Sequence, residues 1–179
     1  MSEQMSFVYA AFTGHVLSVI TSVAPASSPL TAQDLASPTL AVRGAHDSTD
    51  TPLTGVRFDL TPDQLNVFTG DKIDAALLGP RSYYFDSQKK QVVALSFLGK
   101  ALTVTPKAAG VDVDLGSPAI ADTNVLIAYA GSDPSKSEVA IGKVSIGTQT
   151  TNVPATPLAS GSHILTLAAG FSPRIDKVP

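Results

Sequence analysis

Short apolar runs with a period of two recur along this chain, and Pro and Gly separate them. In Gly55-Val56-Arg57-Phe58-Asp59-Leu60, Val56, Phe58 and Leu60 share one parity, and Arg57 and Asp59 share the other. Successive side chains leave a strand on opposite faces, so such a run buries one face and wets the other. Gly110-Val111-Asp112-Val113-Asp114-Leu115-Gly116 repeats the pattern, with both carboxylates outward. Residues 7–20 read as a strand, a bend at Gly14 and a second strand, all core. Ser82-Tyr83-Tyr84-Phe85 and residues 91–97 flank the polar stretch 86–90, which has hairpin length. After a Leu98-Gly99-Lys100 turn, residues 101–105 form a further run, expected to stop at Pro106. The run N-V-L-I-A-Y-A, residues 124–130, is apolar on both parities. That pattern predicts a central strand covered on both faces. Its partner is expected over residues 138–147, beyond a Gly131-Ser132-Asp133-Pro134 turn, and Gly142 within it predicts a bulge.

Helix signals are few and short. Thr61-Pro62-Asp63-Gln64 combines a cap, Pro at the first helical position and Gln three residues after the cap. Thr31-Ala32-Gln33-Asp34 has the same start, and residues 71–78 end at Gly79-Pro80. Strands spaced in this way with few helices predict a mainly β protein, an antiparallel β-sandwich or barrel with two or three short helices. A single β domain over residues 1–179 is expected, with possible sub-lobes 1–80 and 81–179 and an extended C-terminal tail at 171–179. Residues 24–50 and 148–162 read as long loops. Loops of that length are usually functional or linkers, so both are candidate contact surfaces.

The reactive repertoire is thin. Cysteine is absent, which excludes disulfides, thiolate nucleophiles and Cys-based metal sites. The three histidines, His15, His46 and His163, have no metal-ligand spacing among them. His46-Asp47-Ser48-Thr49-Asp50 gathers the side-chain types of a hydrolase triad. Adjacent residues in an extended loop do not converge, however, and a solvated loop is the expectation. Asp112-Val113-Asp114-Leu115-Gly116 lacks the third oxygen ligand and closing Glu of a calcium loop. Neither a phosphate-binding glycine loop nor a nucleophile elbow occurs. The chain is therefore expected to be no enzyme and to carry no cofactor.

Charged residues make up 15% of the chain, against roughly 25% in an average globular domain. The net charge is −3 and the longest basic run is Lys89-Lys90, so phosphate neutralisation has no footprint and nucleic acid is not an expected partner. No stretch reaches the roughly 20 apolar residues of a membrane span. Glu3 precedes the apolar run at residue 7 where a signal peptide would have a cation, so a cytoplasmic protein or a component of an assembled particle is expected. A surface poor in charge is poorly protected against association.

Residues 157–170 read P-L-A-S-G-S-H-I-L-T-L-A-A-G: a turn, a ring-bearing residue, then alternating aliphatics. This stretch resembles the penultimate-strand pattern of fibronectin type III and immunoglobulin-like sandwiches, with His163 where that pattern usually has Tyr. The resemblance implies a sandwich in which the ring of His163 packs inward and bonds back to the chain.

These readings converge on a structural or assembly subunit, or a protein-interaction module, whose partners are itself or other subunits. The setting such a module suits is a virion or a phage-tail-like assembly of the contractile injection type. The tail supplies the expected contacts through Phe171, Pro173, Arg174, Ile175 and Val178, by strand addition or arm exchange. The alternative is a small-ligand or carbohydrate-binding β module, with Tyr83 and Tyr84, next to Phe85, as its platform.

Overall fold

A computed structural model describes residues 4–21, 30–36, 38–44, 47, 49–95, 102–130 and 137–179. The elements in the first half are β1 (Gln4–Ala10), β2 (Val16–Thr21), α1 (Ala32–Ala36), β3 (Leu40–Arg43), β4 (Arg57–Leu60) and β5 (Leu65–Asp71). Then come α2 (Asp74–Leu78), β6 (Tyr83–Asp86), β7 (Gln91–Ala94), β8 (Thr103–Lys107) and β9 (Gly110–Asp114). The chain closes with β10 (Thr123–Ala130), β11 (Ser137–Val144), β12 (Thr150–Val153), β13 (His163–Ala168) and β14 (Arg174–Lys177). The protein is mainly β, as the alternation predicts. The expected turns at 98–100 and 131–134 lie outside the described residues, as do His46 and Ser48.

Two compact units form: residues 1–40 with 61–96, and residues 41–60 with 97–179. In the first, β1 is the middle of an antiparallel sheet ordered β2-β1-β5, and β6 and β7 pair as the expected hairpin. Met5, Phe7 and Val16 bury one face of the sheet with Ala76 of α2. Phe7 stands opposite Phe68 across β1 and β5. A Pro-initiated 3-10 turn at Pro62–Gln64 is held by the expected capping box at Thr61. It stops after one turn because Leu65 begins β5, a strand that the helix signal masked. The helix expected from residue 71 starts instead at Asp74, because Asp71 is the last residue of β5.

The second unit is a sandwich. A four-stranded sheet ordered β11-β10-β13-β14 faces a three-stranded sheet ordered β12-β9-β8. Its core joins Val104, Val111, Val113 and Val153 of the smaller sheet to Val125, Ile127, Val144, Ile164 and Ala168 of the larger. Burying each of these Val and Ile side chains contributes about 1.5–3 kcal/mol. Numbered from β8, the strands lie first-second-fifth against fourth-third-sixth-seventh, with β13 penultimate.

β10 is the doubly covered strand the sequence predicts. Val125, Ile127 and Tyr129 face the sandwich core, whereas Leu126 and Ala128, at most 1% exposed, face the other way. The segment 41–60 covers that second face: β4 pairs with β3 and lies against β10 and β11, with Phe58 and Leu60 buried. The Asp59 amide donates to the Ser137 hydroxyl at 2.8 Å.

Several sequence expectations are corrected here. The stretch read as a loop over 24–50 contains α1 and β3, and the stretch 148–162 contains β12. Polar Thr and Asn hid β12, yet Val153 is fully buried. Pro106 does not end β8, which runs on through Lys107. β8 is an edge strand, where the missing proline N–H leaves no bond unmade. Gly142 makes no bulge, since β11 pairs with β10 in unbroken register. Its lack of a side chain admits Val153 of the facing sheet.

Candidate interaction surface

The C-terminal residues expected to form a contact arm are built into the sandwich. Residues 174–177 form β14, which pairs antiparallel with β13 and places Ile175 opposite Leu165. Ile175 and Val178 are each only 6% exposed, and Phe171 packs on the core. Arg174 points its guanidinium at two partners. Nε pairs with Asp176 at 3.0 Å, and Nη1 donates to the Leu102 carbonyl at 2.7 Å, which ties β14 to the start of β8. Pro173 precedes the strand and is half-buried. A segment held on its length by a neighbour is not available for arm exchange, and the tail reading is corrected accordingly.

The tyrosines are also engaged. Tyr83 and Tyr84 are half-buried on β6, and Tyr83 packs against the core of the first unit. Tyr84 bridges to His15 on the backbone. Phe85 stacks on Tyr9 with centroids 4.6 Å apart and lies 4.9 Å from Phe68. Burial raises the pKa of Tyr9 above the usual phenol value. These rings pack on one another.

His163 is half-buried, but not where the resemblance places it. Ile164, Thr166 and Ala168 stand opposite the inward residues Tyr129, Ile127 and Val125 of β10. His163 therefore shares the parity of Leu165 and Leu167 and points toward the covering segment 41–60. In that segment the Asp47 carboxylate accepts from the Thr49 hydroxyl at 2.7 Å and from the amides of Thr49 and Thr51 at 2.8 and 3.0 Å. Those hydrogen bonds, the one from the Thr49 hydroxyl first, hold Asp47 below the ordinary carboxylate range. The stretch around Asp47 is a hydrogen-bonded turn. Thr166 Oγ1, fully buried on the inner face, has no hydrogen-bond partner among the described residues.

Asp112 and Asp114 act as cross-strand partners on the outer face of the smaller sheet. Asp112 pairs with Lys107 and accepts from Asn152 at 2.7 Å. Asp114 accepts from Gln149 at 2.8 Å and from the Gly116 amide at 2.7 Å. In each case these bonds to the charged form hold the carboxyl below its usual pKa. Among the described residues no three His, Cys, Asp or Glu side chains cluster as metal ligands. No described helix is long and apolar enough to cross a membrane.

The described residues leave five large apolar side chains exposed: Leu77 and Leu78 on α2, and Ile120, Ile141 and Ile146 in the sandwich. Sequence reasoning did not single out any of these. Ile141 lies inside an alternating run whose Ala140 and Val144 face the core, so parity put it on the opposite face. Whether that face is covered depends on where segment 41–60 ends, which periodicity does not report.

Compared with protein-family models, with curated proteins and with solved structures, the chain matches none.

Proposed function

We propose that this chain is a structural or assembly subunit that works through protein–protein contacts of its β framework. The observation that supports this reading is the exposure of large apolar residues at the sandwich: Ile120 is 92% exposed, Ile146 65% and Ile141 57%. Single exposed aliphatics are ordinary on a protein surface. Here they accompany a charged fraction of only 15%, so little charge repulsion opposes association. Low-charge β modules of this kind suit a virion or phage-tail-like particle, an analogy of architecture. The small-ligand alternative rests on the rings of Tyr83, Tyr84 and Phe85, of which Tyr83 and Phe85 pack within the first unit.

Size-exclusion chromatography with light scattering tests the reading. A discrete oligomer or polymer is expected as concentration rises. A monodisperse monomer at the highest attainable concentration overturns it.

A further inference from the structure

Resting on the assembly reading, we propose that the outer edge of β11 is a homotypic docking strand. It pairs antiparallel with β11 of a second copy, centred on Ile141. β11 is the outermost strand of its sheet and pairs with β10 over all eight of its residues without a shift in register. Among the described residues, no further backbone hydrogen bond occupies its other edge.

An open edge offers a row of unpaired N–H and C=O groups, and proteins usually blunt such edges with short strands, Pro, bulges or free charges. The other three edges of this sandwich are blunted. β8 carries Pro106, while β12 and β14 have four residues each. β11 has none of these protections. Its Lys143 is tied to Asp122 at 2.7 Å, and its Glu138 accepts from the Tyr129 hydroxyl at 3.3 Å.

The exposed isoleucines fall on this edge and its end. Ile141 lies on β11, and Ile146 follows it by two residues. The loop carrying Ile120 is fastened to that end, where the Gly147 amide donates to Ala119 at 2.8 Å and the Ala119 amide donates to Thr148 at 2.7 Å. Segment 41–60 lies over Leu126 and Ala128 on that sheet face but leaves Ile141 open.

The occupant that fits is another β11. A two-fold axis normal to the sheet through Ile141 sets Ile141 against Ile141, Val139 against Lys143, Ala140 against Gly142 and Glu138 against Val144. No like charges oppose one another, and both charged side chains already have partners in their own chain. The apolar cross-strand pair at the centre supplies the contact.

The test uses the full chain. Sedimentation of the wild type is expected to show a dimer, or oligomers built from it. Ile141→Lys is expected to weaken self-association about a hundredfold, since it removes two isoleucines from one contact and sets two cations opposite each other. Measured at a dilution where the wild type is dissociated, its thermal midpoint should stay at the wild-type value, because the side chain is exposed in the single chain. In this cysteine-free background, Ile141→Cys should form an interchain disulfide on mild oxidation. Opposed Cα atoms in an antiparallel pair lie about 4.5–5.5 Å apart, within disulfide range. An oligomer that keeps its size in Ile141→Lys, or in which Ile141→Cys does not cross-link, overturns the β11 pairing and leaves the assembly reading standing. A wild type that stays monomeric overturns both.

Discussion

The Cβ that Gly142 lacks would lie 2.6 Å from Cγ2 of Val153, across the gap between the two sheets of the sandwich. Val153 is fully buried, and its β-branched side chain is stiff about χ1. Gly142→Ala is therefore an overpacking change, expected to cost about 1–3 kcal/mol. Val153→Ala in the same chain should recover part of that loss, because both changes address one volume. Urea unfolding of the four chains in the cycle measures it, and additive costs would show that the two residues do not share the space.

Arg174 joins two elements: it pairs with Asp176 in its own strand and caps the Leu102 carbonyl beside β8. Asp176 is 5% exposed. Arg174→Met should cost about 1.5–3 kcal/mol, the range for hydrogen bonds to charged groups. Asp176→Asn should offset much of it. Deleting residues 171–179 should abolish the cooperative melting of the sandwich unit, since it removes β14 together with Ile175 and Val178. Calorimetry decides: a transition that survives the deletion unchanged would return the tail to the status of a free arm.

Acid should destabilise the protein through its bonded carboxylates. Lys107 and Asn152 lower the pKa of Asp112, Gln149 and Gly116 that of Asp114, and Lys143 and Ile146 that of Asp122. With folded pKa values below the unfolded value of about 3.9, the unfolded chain takes up protons first. Their stabilisation is thus complete above about pH 5 and is lost as pH falls through the folded values. The melting temperature should plateau near neutrality and decline below about pH 4. Asp112→Asn should make that decline shallower. A melting temperature that rises on acidification contradicts the assignment.

Legibility in the sequence followed the contrast between faces. β4, β9 and β10 were readable because their burial pattern is written in side-chain type: Phe58 and Leu60 against Arg57 and Asp59, or aliphatics on both parities. β5 was hidden behind the capping box at Thr61, a local signal that is present but governs only one turn. β12 was hidden by composition, since Thr150, Thr151 and Asn152 read as polar loop, whereas residues 174–177 of β14 read as part of an extended tail fit for contacts with another chain. Pairing with β9 and β13 makes them strands, and only one or two buried residues in each betray it.

The local alternation of apolar and polar residues, with Gly and Pro between runs, was enough to dictate a mainly β protein and the identity of its central strand. That follows because side-chain parity in a strand is a property of the chain itself. Which strand lies at an edge, whether residues 41–60 pack on the far face of β10, that His163 turns away from the core, and that Ile141 is left open were all settled by tertiary structure. Edges and covered faces arise from contacts between segments distant in sequence, and no local period encodes them.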